Sequence, residues 1–409
     1  MSPKSEVLTP YLRRLTAAWL HLFVAAWLAV PISGFAQASA GTDLLIALDA
    51  EFGHLTSTSD DAIRMGMLTA ISEINEAGGV LGGRKLRLIE SDNRSIPARG
   101  KDNFRRHASD PNIVGVFTGK FSTVALEQAK IADELKLLLL DPWASADPVI
   151  KDDPAGSYAF RLSLRDSWAV PAMMKYLQSR GIRQVGVLLP TSGWGRSNEA
   201  QAKKFVDSAQ GARVQAIEWY HWGATTMLPG YRKLRAVGVQ AILLVANEAE
   251  GAILVKEVAK LSPAERVPIV SHWGVAGGNF VEMVGSDLDT VDFAVVQTFT
   301  FAGRTDKKAL DVLRSAGKTL GLQHYRDIPS HVGFAHAYDL THILARAITL
   351  AGSADREQVR AALEKVRDYD GLVGRLSEPF TSKRHEALSP GHVFIGRFKR
   401  SGVIERLSY

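Results

Sequence analysis

From residue 44 onward the chain alternates short aliphatic runs with longer stretches whose apolar positions recur every three to four residues. Residues 44–48 read as a strand. Residues 60–77 read as a helix, with Ile63, Met67, Ala70, Ile71 and Ile74 on one face and Gly78 as its stop. Strands follow at 85–91, 113–118 and 137–140, separated by helical stretches at 97–109 and 122–135. A β-α-β-α-β-α-β order predicts a parallel sheet covered by helices on both faces.

A second series then starts over. Helical patterns at 168–180, 194–209, 231–237 and 248–261 alternate with strand patterns at 184–189, 214–220 and 240–246. Two similar lobes are expected, with a junction near 158–162. The later helical runs at 332–351 and 356–366 must pack back onto one or both. No Pro- or Ser-rich linker separates the halves, so several short crossings should act as a hinge.

The N-terminus changes the picture. Basic residues up to Arg14 precede an apolar run at 17–30, interrupted by His21, and then residues 31–34 lead to Ala36-Gln37-Ala38, a small-x-small cleavage pattern. The run is shorter than the ~20 residues of a membrane-spanning helix. Residues 1–38 are therefore expected to be a cleaved signal peptide, and the mature chain to reach a bacterial periplasm. Within that segment Lys4, Arg13 and Arg14 stand against Glu6, a net +2 of the chain's formal +6, which leaves +4 for the rest. Arg105-Arg106 and Lys203-Lys204 lie in amphipathic helical patterns as solvated faces, so nothing forms the basic stripe of a nucleic-acid partner. The chain has no cysteine, which removes disulfides, thiolate metal sites and cysteine nucleophiles.

Enzyme motifs fare poorly. Gly78-Gly79-Val80-Leu81-Gly82-Gly83-Arg84-Lys85 superficially suggests a phosphate loop, but it follows a helix and precedes a strand, the reverse of the order that aims a helix N-terminus at phosphate. No G-x-S-x-G or H-E-x-x-H pattern occurs. His331, His336 and His342 do not share one helical face, and Asp60-Asp61 and Asp152-Asp153 sit where helix capping explains them. No catalytic set, metal site or cofactor is expected.

One pattern suits an anion. In an open parallel sheet, ligands sit beyond the C-terminal strand ends, where unpaired amides open the following helices. Gly119-Lys120-Phe121-Ser122-Thr123 is such a junction, and Asp141-Pro142-Trp143-Ala144-Ser145 follows the next strand. Ser122 and Thr123 either cap their helix or take a carboxylate, and the residues alone leave both readings open.

The run Glu73-Ile74-Asn75-Glu76-Ala77-Gly78-Gly79-Val80-Leu81-Gly82-Gly83, followed by a strand and Ser91-Asp92-Asn93, resembles the signature of periplasmic binding proteins serving branched-chain amino acid ABC transporters. The likeness continues through Tyr158-Ala159-Phe160-Arg161, Trp194-Gly195 and residues 347–352. It implies an α/β type I fold with two Rossmann-like lobes joined by a three-stranded hinge, closing around one small ligand. The lobes would be 39–160 with 298–372, and 161–297 with 373–409. It also implies a monomer that docks on an ABC permease of the inner membrane.

Carried over by position, the resemblance puts the carboxylate grip on Ser122 and Thr123 and further ligand contacts on Trp143 and Ser145. The second lobe would add Trp194, Asn247, Glu248, His272 and Trp273. One departure matters: the acid that holds an amino acid's ammonium in that family would fall at Trp273. A buried ammonium without a carboxylate is costly, although Glu248 or Glu250 offers a substitute. With indoles at 143, 194 and 273, the expected ligand is a small carboxylate with a flat or aromatic body. The alternatives are an amino acid or amide, a periplasmic sensor that hands its closed form to a receptor, and a secreted hydrolase.

Overall fold

The computed structural model describes residues 43–53, 58–208 and 211–409. The expected signal peptide at 1–38 and the last residue of the helix predicted at 194–209 lie outside the described residues.

The first sheet is built from β1 (Leu44–Ala50), β2 (Leu86–Asp92), β3 (Ile113–Thr118), β4 (Leu138–Asp141) and β5 (Ala159–Arg161), in the order β2-β1-β3-β4-β5 with every pair parallel. Between these strands run α1 (Thr58–Glu76), α2 (Pro97–Ala108) and α3 (Ser122–Ala132). All six residues of β3 are buried, as expected of a central strand covered on both faces. Helix α1 buries the face read from the sequence, Ile63, Met67, Ala70, Ile71 and Ile74, each contributing about 1.5–3 kcal/mol on leaving water. It ends where Gly78 and Gly79 turn into the left-handed region, at φ 107° and 77°.

The second series begins with α4 (Asp166–Ser179) and runs through β6 (Gln184–Pro190), α5 (Gly193–Ser208), β7 (Arg213–Tyr220), α6 (Leu228–Ala236), β8 (Ala241–Leu244), α7 (Glu248–Ala259), β9 (Ile269–Ser271), α8 (Phe280–Val284) and β10 (Phe293–Gln297). The chain then returns to the first lobe with α9 (Lys307–Leu320), α10 (His331–Ala351) and α11 (Arg356–Leu363). Helix α10 lies against α1 so closely that a Cβ on Gly66 would meet the Phe334 carbonyl oxygen at 2.2 Å, so only glycine fits there. A short hairpin, β11 (Tyr369–Asp370) with β12 (Arg375–Leu376), precedes β13 (Phe394–Phe398) and β14 (Ile404–Arg406).

The second sheet has the order β14-β13-β10-β9-β8-β6-β7. Strands β6 to β10 pair in parallel, but β13 and β14 join antiparallel, so this sheet is mixed where two parallel sheets were expected. An antiparallel edge on a parallel sheet is common in such folds.

The chain passes between the lobes three times, after β5, after β10 and before β13. The segment read as a bare junction near 158–162 contains a strand of the first sheet, β5. It is pinned to the third crossing: the Arg161 amide donates to the His385 carbonyl at 2.8 Å, and the Ala387 amide to the Arg161 carbonyl at 2.8 Å. Arg161 Nε also donates to Glu386 Oε2 at 2.9 Å, with both side chains buried. No helix among the described residues is long and apolar enough to cross a membrane.

Candidate functional site

The C-terminal strand ends of both sheets face one another across a cleft. From the first lobe come the loops after β1, β3 and β4; from the second, those after β6, β7, β8 and β9. Ser122, Thr123, Trp143, Ser145, Trp194, Asn247 and Trp273 line one cavity there, together with Lys120, Phe121 and Trp222. Its volume is about 10 Å³, the room of a single water. A second cavity of about 530 Å³ shares Lys120, Phe121, Thr123, Trp222 and Asn247 and adds Glu248.

Neither hydroxyl candidate caps α3. The N-cap is Phe121, and Ser122 is the first helical residue. Its buried Oγ accepts from the Ala146 amide at 3.3 Å, tying the loop after β3 to the loop after β4. The Val124 amide donates to the Phe121 carbonyl at 3.0 Å, so the amides of Ser122 and Thr123 carry the open N–H groups and partial positive charge of this helix start. Asp141 shapes the neighbouring loop by accepting from the amides of Trp143 at 2.9 Å and Ala144 at 2.6 Å. Burial pushes its carboxyl up to about 7 against the pull of Arg161.

The indoles form a continuous aromatic wall. Trp143 from the first lobe stacks on Trp273 from the second, with ring centroids 5.0 Å apart and planes at 28°. Trp194 lies parallel to Trp222 at 6.4 Å, and Trp222 meets Phe121 of the first lobe edge-on at 6.4 Å. The three tryptophans named from the sequence differ in setting: Trp143 is in a loop, Trp194 opens α5, and Trp273 starts a 3-10 turn. Trp222, two residues beyond β7, was not singled out from the sequence, although it obeys the same strand-end rule.

His272 lines neither cavity. Its Nδ1 accepts from the Trp273 amide at 2.9 Å, which leaves the proton on Nε2 to donate to Asp166 Oδ1 at 3.0 Å. The Trp194 indole N–H reaches the same oxygen at 3.2 Å. His272 thus holds the Trp273 amide directly and Trp194 through the shared Asp166 oxygen.

Charge crosses the cleft at Lys120, whose Nζ donates to Glu248 Oε1 at 2.7 Å. Asp60 sits behind it, accepting from the amides of Lys120 at 2.7 Å and Glu51 at 3.1 Å. Burial raises Asp60 to about 7 against the pull of Lys120. Burial alone would lower Lys120, but Glu248 and Asp60 together hold it above its ordinary value, so the ammonium stays charged. Lys120 had been read only as part of a loop; its pairing depends on a residue 128 positions away. Glu250, the other acid considered as a substitute, accepts from the Gly223 amide at 3.1 Å.

On the opposite flank, Asp147 from the first lobe accepts from Arg165 Nε at 3.0 Å, the Ser167 amide at 3.2 Å and Gln201 Nε2 at 2.7 Å. Its own amide donates to Ser197 Oγ at 3.0 Å. These contacts and the Lys120–Glu248 pair clasp the lobes from two sides. The arrangement suits enclosure of a small guest and assembles no nucleophile with a base.

Comparison with known proteins gives the same picture. A model of the periplasmic binding protein family matches residues 52–400. A curated relative, the leucine-, isoleucine-, valine-, threonine-, and alanine-binding protein of Pseudomonas aeruginosa, is 24% identical over 355 residues, covering 85% of this chain and 89% of its own. Among solved structures, a periplasmic binding protein type 1 from Bordetella pertussis superimposes with a TM-score of 0.80 at 20% identity, over 90% of this chain and 100% of that one. A solute-binding protein of an R. palustris ABC transporter, solved in complex with benzoate, gives 0.73 at 15% identity over 89% of this chain and 95% of that one. At such identities the structural likeness speaks to the fold, which is the type I fold expected from the sequence.

Proposed function

The chain belongs to the periplasmic binding protein family, and on that premise we propose that it is the periplasmic solute-binding component of an ABC importer, closing on a small carboxylate with a flat, aromatic body. The lobes divide close to the expected 39–160 with 298–372 and 161–297 with 373–409, with β5 and the β11–β12 hairpin kept whole on the first lobe. The guest's carboxylate meets the Ser122 hydroxyl and the amides that open α3. Its body lies against the indoles and extends into the 530 Å³ space beside Phe121 and Trp222.

The observation that carries this reading is the convergence of a free helix start with four indoles, Trp143, Trp194, Trp222 and Trp273, on one cavity. Charge complementarity at a helix N-terminus favours an anion, and stacking favours a flat body. Because about 10 Å³ admits no organic acid, entry requires the lobes to part and the indoles to separate. The guest then favours closure by its extra affinity for the closed arrangement. The closed form is what a membrane permease would recognise, after export through the N-terminal signal peptide.

A second reading, an amino acid, draws on one observation: Glu248 Oε2 is buried with no hydrogen-bond partner among the described residues, and an ammonium would supply one. Against it, Trp273 stands where the relatives' ammonium-binding acid would align, and the other Glu248 oxygen already holds Lys120. A thermal-shift screen of aromatic acids, aliphatic acids, amino acids and amides separates the two readings, since selective binding raises apparent stability by mass action. An acid lacking the α-amino group should give the largest shift. Leucine as the strongest hit would overturn the preference.

A further inference from the structure

A third cavity, about 200 Å³, also lies between the lobes, and none of its lining residues belongs to the candidate site. The second lobe contributes Gln297 at the end of β10, Arg400 in the turn between β13 and β14, and Glu282. The first lobe contributes Arg326 in the 3-10 turn before α10, and Ser330 and His331 at the start of that helix.

Its buried groups are donors that lack partners. Ser330 is the N-cap of the 21-residue helix α10 but makes no capping hydrogen bond, so the first-turn amides miss their usual acceptor. The Ser330 hydroxyl is itself buried and has no partner among the described residues. Gln297 is 1% exposed, and its Nε2, which can only donate, is likewise without a partner among them. Each such group is costly while it stays unpaired, because burial has stripped its water without supplying a partner. Arg326 and Arg400 add positive charge, and Arg400 also pairs with Asp289. The acidic side chain on the wall, Glu282, is exposed to solvent. His331 adds no charge: its Nδ1 accepts from the Phe301 amide at 3.1 Å, and burial pushes it down to about 4.

We propose that this cavity is a second binding site, for a small oxyanion, held by Gln297 Nε2, the Ser330 hydroxyl and the opening amides of α10, with Arg326 and Arg400 supplying the countercharge. The chemistry suits a free carboxylate or an inorganic oxyanion such as sulfate or phosphate. Because the wall comes from both lobes, an anion here favours closure and thereby tightens the grip on a guest in the main cleft, with reciprocal coupling between the two.

The test uses the full chain, with selenate as an anomalous crystallographic probe and sulfate and acetate as titrants in calorimetry. Selenate should appear within hydrogen-bond reach of Gln297 and Ser330. Arg326→Gln and Ser330→Ala should each weaken the anion by about tenfold, as expected for a charge-assisted hydrogen bond. A stronger response to sulfate assigns the site to inorganic oxyanions, and a stronger response to acetate to carboxylates. Arg326 is exposed, so its variant keeps the test open if a substitution at Gln297 fails to fold. Selenate density absent from this cavity, or equal anion affinities in wild type and both variants, would overturn the proposal. Ser122→Ala with Thr123→Val should abolish the main-cleft response and leave the sulfate response unchanged, so each site is judged separately.

Discussion

Lys120 and Glu248 meet at 2.7 Å between the two lobes with 4% and 1% of their side chains exposed, so closing the cleft buries an ion pair. Ionising both groups in that setting is expensive, and removing one partner leaves the other charged, buried and unpaired. Glu248→Ala and Lys120→Ala should each lower the unfolding free energy by about 3–5 kcal/mol. The double variant Lys120→Met with Glu248→Leu should recover most of that loss. Urea unfolding of the four chains measures the coupling, and strictly additive losses would show that the pair does not act as a unit.

The buried histidines set a pH dependence of definite sign. His336 Nδ1 donates to the Pro142 carbonyl at 3.0 Å, which leaves Nε2 of the neutral ring to accept from the Thr298 hydroxyl of the second crossing at 3.0 Å, and burial pushes its pKa down to about 3. The folded chain holds it neutral while the unfolded chain protonates it below about 6.5. Its contribution is present above that value and is lost as pH falls from about 6.5 toward about 3. Asp60 and Asp141, raised from 3.8 to about 7, act oppositely: their contribution is present below 3.8 and is lost as pH rises from there through about 7. Comparing wild type with His336→Gln isolates the histidine: the difference in stability should shrink by up to ~1.4 kcal/mol per pH unit on acidification. A difference independent of pH would contradict it.

Arg161, wholly buried, joins β5 to the third crossing through Glu386 and to the loop after β4 through the Ala144 and Ala146 carbonyls at 3.1 Å and 2.9 Å. Glu386→Ala should therefore be among the most damaging substitutions in the hinge, lowering stability by about 3–5 kcal/mol. Chemical denaturation checks this, and a loss below about 1 kcal/mol, the scale of an exposed pair, would contradict it.

Trp143 and Trp273 pack against each other from opposite lobes, so truncating either removes the same contact. Each single change to alanine should cost about 3–5 kcal/mol, and the double change less than the sum. Intrinsic fluorescence should also respond to a guest in the main cleft, because Trp143, Trp194, Trp222 and Trp273 line it. A saturating ligand that leaves the emission unchanged would place binding elsewhere.

Much of this architecture is legible in the hydrophobic pattern. The helices and strands from β1 to α7 were read at close to their observed bounds, β5 apart, because each amphipathic helix is flanked by turn residues and each strand by a helix. β9 and β10 went unread: three and five residues of buried aliphatic chain carry no period that separates strand from helix. Helix α9 was within reach, since Asp306 caps it and Gly321 ends it in the left-handed region. The antiparallel pairing of β13 is a long-range choice that no local pattern announces. In the cleft, Ser122 and Trp143 follow from the rule that ligands sit beyond strand ends, whereas Trp273 came from the family resemblance. Lys120–Glu248 and the Asp166 contacts to Trp194 and His272 could not be read, because they join distant segments that meet only in the folded chain.

The most direct test is a crystal structure with whichever acid gives the largest thermal shift. The carboxylate should lie about 2.7–3.2 Å from the Ser122 hydroxyl and the first amides of α3, with the body against the indoles. A guest bound through an ammonium on Glu248, or lodged away from the opening of α3, would contradict the account.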